Sequence, residues 1–292
     1  MSKRVVKLQG GLGNQMFQYA FGQAQRTSFG ESVLYDISWF DEVKKKGKMT
    51  LRNYELDVFL ANVPLIDEPC VSNLLYGRLP LISWMRRRFH KKLHLIRERD
   101  AHEYREEFLT TRGDIYYDGC FQNENYFTSI RSQLLHDFEL REPLNSANDA
   151  MLEKIRKVHA VSLHVRRGDY LTTNRLSVCP LDYYHHAMEW IAQHVENPHF
   201  FIFSDDPLWV AEHLSCNYTH TLVDLNGSNE GYYDLELMKN CKHQIIANST
   251  FSWWGAWLNQ NPDKMIIAPT SWYADPSRQS DGLLPSQWRT MA

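Results

Sequence analysis

The chain reads as an α/β protein built on parallel sheets. Three strand-loop-helix units and one wholly apolar strand predict it. The first unit is Val5-Val6-Lys7-Leu8, then the loop Gly10-Gly11-Leu12-Gly13-Asn14, then a helix-like run from Gln15 to about Thr27. The second is Ala160-Val161-Ser162-Leu163-His164-Val165, ending at Arg166-Arg167-Gly168-Asp169. The third is Gln244-Ile245-Ile246-Ala247, then Asn248-Ser249-Thr250, then an aromatic helix through Leu258. Between the last two, Phe200-Phe201-Ile202-Phe203 reads as a buried strand stopped by Ser204-Asp205-Asp206-Pro207, with a helix over Leu181 to Val195 before it.

At 292 residues the chain holds two domains of about 100–200 residues each. The polar, turn-rich stretch Glu142–Asp149 marks the boundary, giving domains 1–148 and 149–272. The remainder, 273–292, contains Pro276, Pro285 and Trp288 and is expected to pack back across the first domain. Nine Trp and fifteen Tyr are abundant for sugar stacking, but most such rings fill cores.

Composition excludes several classes. A net charge of −3 offers no basic field for nucleic acid. Cys70, Cys120, Cys179, Cys216 and Cys241 are widely spaced and form no C-x-x-C pair, so neither a zinc site nor a disulfide framework is indicated. Met1 to Arg4 run straight into a strand, and no uncharged apolar run reaches the ~18 residues of a membrane span. A cytoplasmic protein is expected. Residues 84–94 carry Arg86, Arg87, Arg88, Lys91 and Lys92 among apolar neighbours. Such a segment is either a solvated helix face or a contact with the inner face of an anionic membrane.

The chemistry concentrates at three strand ends. Alternation along a strand puts His164 and Arg166 on one face, with Arg166 at the C-terminal end where α/β folds bind ligands. A guanidinium there suits paired phosphate oxygens and stays charged. It stabilises a departing diphosphate more than the bound ground state. Arg167 takes a supporting place, with an Arg167–Asp169 ion pair as its structural use. Asn248, Ser249 and Thr250 are natural N-caps opening a helix whose free amides and dipole attract phosphate. For Asp205 and Asp206 two ligand readings compete beside simple turn formation. The pair either holds a divalent metal, or one carboxylate accepts the adjacent N1–H and N2 amino donors of guanine. Arginine and helix amides already neutralise phosphate, which favours guanine. Gly11 and Gly13 permit close backbone approach to a ligand, and Asn14 and Gln15 offer groups to sugar hydroxyls.

Together these segments resemble bacterial α-1,2-fucosyltransferases of glycosyltransferase family 11. The matching stretches are GGLGNQMFQYAFG (10–22), SLHVRRGDY (162–170), FIFSDDP (201–207), NSTFSWWGAWLN (248–259) and APTSWY (268–273). The resemblance implies a GT-B fold of two Rossmann-like domains facing a cleft. It implies GDP-β-L-fucose as donor, inversion at fucose C1, no metal and no further cofactor. Arg166 would meet the β-phosphate, and His164 with Asp205 or Asp206 the guanosine. The acceptor would be a terminal β-galactoside of a surface-polysaccharide (O-antigen) repeat unit. Asp169, Asp36 and His164 stand as candidate bases for the acceptor hydroxyl, and the sequence leaves that choice open. A transferase for another GDP- or UDP-sugar, or a nucleotide- or glycan-binding protein without turnover, are the alternatives. The oligomeric state is not encoded in any of these features.

Overall fold

The computed structural model describes residues 3–46, 52–66, 94–172, 177–275, 277–278 and 280–292. Cys70, Pro276 and the basic segment 84–94, apart from His94, lie outside the described residues. The chain divides into two compact units, residues 1–141 and 142–292. Each is α/β with a parallel sheet, the class expected from the strand-loop-helix pattern.

In chain order the first unit holds β1 (Arg4–Lys7), α1 (Leu12–Phe29), β2 (Val33–Asp36), α2 (Ser38–Lys46), β3 (His94–Arg97), α3 (Glu107–Thr110), β4 (Ile115–Asp118) and α4 (Arg131–Asp137). The sheet order is β2-β1-β4-β3, so the direction of winding reverses between β1 and β4. Helix α1 begins inside the glycine loop, three residues earlier than the pattern predicts. The carbonyl of Gly11 accepts the N–H groups of Asn14 and Gln15, which starts the helical ladder at Leu12. Gly30 ends it with φ 63°, a left-handed turn that only glycine adopts without strain. Gly22 leaves no room for a β-carbon against the ring of Tyr35. That close approach lets the Tyr35 hydroxyl donate to the Tyr19 carbonyl (3.1 Å) and accept from Gln23 (3.0 Å).

Arg4 is fully buried at the start of β1, and each of its three guanidinium nitrogens has a partner. Nη1 donates to Gln25 Oε1 (3.0 Å) and to the Tyr117 hydroxyl (2.9 Å). Nη2 donates to the Thr111 carbonyl (2.8 Å), and Nε pairs with Glu31 (3.2 Å). The guanidinium lies 3.5 Å over the ring of Phe29. A buried cation is tolerated only under such complete pairing.

The second unit holds α5 (Ser146–Arg156), β5 (His159–Val165), α6 (Leu181–His194), β6 (Pro198–Ser204), α7 (Pro207–His213), β7 (His220–Val223), α8 (Gly231–Lys239), β8 (His243–Ile245), α9 (Thr250–Leu258), β9 (Ile266–Pro269) and β10 (Arg289–Met291). Helix α5 begins at Ser146 behind its Asn145 cap, so residues 142–148 go with this unit and not with the first. The sheet order is β10-β9-β8-β5-β6-β7. Strands β5 and β6 pair over their full seven residues at its centre. Val161, Leu163 and Val165 face the α6 core with Tyr183 and Ile191. Ala160 and the β6 residues Phe201 and Phe203 face the opposite layer with Leu237 and Met238 of α8. The chain winds outward from β5 through β7, then returns to β8 and continues to β10. The winding therefore reverses between β5 and β8, the kind of position at which open α/β sheets bind ligands.

The C-terminal tail extends the second sheet. Residues 289–291 add a parallel edge strand to β9 of the second sheet. Trp253 of α9 donates to the Leu283 carbonyl (2.9 Å) and packs 5.5 Å from the ring of Trp288. The buried tryptophans of α9 tie the tail to the second unit.

Arg4→Met should lower the unfolding free energy by about 3 kcal/mol or more, because the Glu31 carboxylate loses its buried cation, the Thr111 carbonyl loses its Arg4 donor, and Gln25 and Tyr117 keep only their bonds to each other and to Phe108. Urea unfolding checks this, and a loss below about 1 kcal/mol would show that the pocket collapses around the methionine.

Candidate functional site

Arg166 follows the last residue of β5, and Ser249 opens α9 just after β8, so both border the reversal point of the second sheet. Beyond Arg166 the chain folds into a 3-10 turn, Gly168–Thr172, with the Tyr170 N–H on the Arg167 carbonyl (2.9 Å). Gly168 has no room for a side chain because the Asp205 carboxylate occupies that space. The turn swings Asp169 back so that its Oδ1 accepts from Arg166 Nη2 (2.6 Å). Asp205, at the end of β6, takes Arg166 Nη1 at 3.1 Å. Burial acts against the charge of Arg166, but Asp205 and Asp169 outweigh it and raise its pKa above the ordinary value. The Nε atom is buried and has no partner among the described residues. Arg166 thus presents one bare polar edge while its other two nitrogens are clamped.

The ion pair expected between Arg167 and Asp169 is not the one that forms, since Asp169 goes to Arg166. Arg167 pairs through Nε with Asp206 Oδ2 (3.4 Å) and lies 3.4 Å over the ring of Trp209. Its backbone N–H donates to Asp205 Oδ1 (2.9 Å). Asp206 also caps α7, accepting the Trp209 N–H at 3.3 Å. Both aspartates of the pair therefore face the arginines. Among the described residues, no three His, Cys, Asp or Glu side chains gather as a metal-binding set.

His164, on β5 two residues before Arg166, is buried. Its ring packs 5.6 Å from Phe251 at the start of α9, and Nδ1 has no partner among the described residues. Burial, with the Arg166 charge adding to it, pushes its pKa down to about 3. Its burial, more than its low basicity, counts against His164 as the base for an acceptor hydroxyl. The imidazole stays a neutral hydrogen-bonding group.

Asn248 is completely buried and its amide is used up. Nδ2 donates to the carbonyls of Ser177 (2.7 Å) and Trp272 (2.8 Å), while Oδ1 accepts from Cys179 Sγ (3.4 Å). Its side chain fastens loops together, a correction to its expected contact with donor. Ser249 does cap α9, accepting the Phe251 N–H at 3.3 Å. Thr250 follows, partly exposed, and the first turn of α9 contains no acidic residue. That leaves the helix N-terminus electropositive.

The glycine loop belongs to the first unit, after β1. Gly10 has φ 83°, and a β-carbon there would sit 2.6 Å from Asn14 Nδ2. Asn14 accepts from Gln122 at 2.9 Å. Gly11 lies beside the guanidinium of Arg52, 3.8 Å from where its β-carbon would be, and Gly13 is buried in the first turn of α1. Gln15 is not available to a sugar. It is buried, donates to the carbonyls of Gly10 (3.1 Å) and Asn53 (2.8 Å), and accepts the Glu55 N–H (3.0 Å). Asp36 is likewise withdrawn as a base, because it is buried under the Tyr116 hydroxyl (2.7 Å) and the Ser38 N–H (2.9 Å).

Three contributors escaped the sequence reading. Gly168 lay inside the arginine motif without a role, Trp209 was passed over beside Pro207, and Tyr170 was quoted without a purpose. Its hydroxyl donates to the Asn248 carbonyl at 3.0 Å. The spacing from Asp206 to Trp209, one helical turn, was the available signal for the second of these.

The family model described as glycosyl transferase family 11 matches residues 82–292. An alpha-1,2-colitosyltransferase of Escherichia coli is 30% identical over 99% of this chain and 98% of its own. The O-antigen biosynthesis glycosyltransferase WbnK of Escherichia coli is 32% identical, covering 91% of this chain and 94% of its own. A galactoside alpha-(1,2)-fucosyltransferase 1 of Leontopithecus chrysomelas is 27% identical over 56% of this chain and 48% of its own. No described helix is long and apolar enough to cross a membrane.

His164 gives a pH signature. Its pKa is about 3 folded and near 6.5 unfolded, so below pH 6.5 the unfolded chain binds a proton that the folded chain refuses. Its contribution to stability is complete above pH 6.5 and falls by about 1 kcal/mol per pH unit toward pH 3. Urea unfolding across pH 7 to 4 should show a shallower decline in His164→Asn than in the parent. Parallel declines would mean that His164 titrates alike in both states.

Proposed function

The chain belongs to glycosyltransferase family 11, and on that premise we propose that it transfers L-fucose from GDP-β-L-fucose to the 2-hydroxyl of a terminal β-galactoside. The anomeric centre inverts, and the product is a repeat unit of a bacterial surface polysaccharide. The observation that carries this reading is the bare Nε edge of a buried, permanently charged Arg166 at the reversal point between β5 and β8. A diphosphate gains charge as its bond to the sugar breaks, and a fixed cation in a poorly solvated place favours that change. The N-terminus of α9 supplies the second electropositive contact. With these in place the reading requires no metal and no resident cofactor.

The remaining parts follow from chemistry. Bond cleavage ahead of attack gives C1 oxocarbenium character, as in glycosidases. The galactoside hydroxyl then enters from the opposite face, and little basic strength is needed to take its proton late. Of the three candidate bases, Asp169 alone lies at the arginine and is not withdrawn into a core. In this reading neutral His164 and one carboxylate of the Asp205–Asp206 pair meet the nucleoside, since guanine offers the two adjacent donors that a carboxylate accepts. The protein works from the aqueous side, in the cytoplasm, on a water-soluble donor.

A second reading has its own support. The relative named as an alpha-1,2-colitosyltransferase aligns along nearly the whole chain. Colitose is fucose without its 3-hydroxyl, so the same phosphate and guanine contacts serve both donors. The choice rests on whether a site group hydrogen-bonds that hydroxyl, a distinction that enzymes enforce strongly when they make the bond.

Purified protein is mixed with a β-galactoside such as lactose and with GDP-fucose, GDP-colitose or UDP-sugars, and the product linkage is read by NMR. An α-1,2-fucosyl product with the highest kcat/KM on GDP-fucose is expected. Preference for GDP-colitose moves the assignment to the second reading, and turnover confined to UDP-sugars overturns both. Arg166→Ala should lower kcat/KM by at least ~100-fold, the scale of losing one transition-state donor. Near-normal turnover in that variant would remove the arginine from the reaction.

A further inference from the structure

We propose that Tyr170 is a positioning residue that sets the distance between Arg166 and the N-terminus of α9, so that one diphosphate meets both. The inference rests on the reading above, in which those two elements form the diphosphate seat.

The geometry is specific. Tyr170 sits in the 3-10 turn after β5, four residues along from Arg166. Its ring lies 5.3 Å from the Arg166 guanidinium carbon. Its hydroxyl donates to the Asn248 carbonyl at 3.0 Å, one residue before the Ser249 cap of α9. One side chain therefore spans from the cation to the helix start. Burial pushes its pKa up to about 12 against the opposing charge of Arg166, so the hydroxyl keeps the proton that it donates. The far end of the strut is itself immobile, because the Asn248 amide is tied to Ser177, Cys179 and Trp272. No strand pairing fixes this gap: β5 and β8 are in register only from Val161 to Leu163, short of both ligand-facing ends. The hydroxyl is thus a cross-tie where the sheet has stopped supplying one.

A group that only stabilised the fold would affect all ligands alike. A strut for the diphosphate seat affects the terminal phosphate selectively. Affinities for GDP and for GMP are measured by calorimetry in the parent, Tyr170→Phe, Tyr170→Leu and Arg166→Ala, with exposed Leu171→Ala as a control. All are measured well below each variant's melting transition. Tyr170→Phe should weaken GDP about 5- to 10-fold, the effect of one lost positioned hydrogen bond, and leave GMP within about twofold. Tyr170→Leu, which also removes the ring beneath Arg166, should weaken GDP further, and Arg166→Ala should abolish the preference for GDP over GMP. If Arg166→Ala removes that preference and Tyr170→Phe leaves it intact, the strut is overturned while the diphosphate seat stands. An equal loss for GDP and GMP in Tyr170→Phe overturns it as well. If Arg166→Ala leaves the preference untouched, the seat itself falls and the role of Tyr170 falls with it.

Discussion

The second unit depends on one arrangement: a guanidinium that cannot lose its proton, placed where the sheet reverses direction and gripped on one side by two carboxylates. Asp169 and Asp205 hold the Nη atoms of Arg166 at 2.6 and 3.1 Å. Their neighbours are arranged around that grip. Gly168 gives up its side chain to let Asp205 approach. Asp206 is taken by Arg167 and by the start of α7, and so stays out of the clamp. Tyr170 and Asn248 then fix where the next helix begins.

Such a cluster is not a device for stability. A half-buried arginine between two acids gains little net free energy once desolvation is counted. The buried, unanswered Nε of Arg166 and Nδ1 of His164 act against the fold. Ser162 Oγ, the Tyr184 hydroxyl and Gln244 Oε1 also lack partners among the described residues, but the Arg166 Nε belongs to a fixed cation at the point where the sheet reverses, and there it marks a place shaped for an anion. Arg4 is deeper than Arg166, yet each of its three nitrogens has a partner inside the first unit, and nothing about it invites a ligand.

The fold class and the position of Arg166 just past the end of β5 were legible because both follow from local patterning. Short apolar strands, polar turns and alternation along β5 are properties of neighbouring residues. The corrections have a common cause. Gln15, Asp36 and Asn248 are polar residues at loop and strand ends, and there a ligand contact and an internal tie look alike. What decides between them is a partner far along the chain: Asn53 for Gln15, Tyr116 for Asp36, Trp272 for Asn248. The partner of Asp169 was misassigned for a nearer reason. Strand alternation ends at Val165, and the 3-10 turn that follows obeys a different period. The tail strand is three residues long, too short to carry a pattern of its own.

The tie on Asn248 has a consequence for thiol chemistry. Cys179 donates its hydrogen to that amide, and burial pushes its thiol pKa up, so the reactive thiolate is scarce in the closed protein. Cys241, buried beneath α9, is still more reluctant to ionise. Alkylating reagents therefore meet these two sulfurs only when the surrounding segments lift away. The rate of Cys179 modification becomes a clock for the opening of the 177–179 segment beside the arginine, and that of Cys241 a clock for deeper breathing of the unit's core.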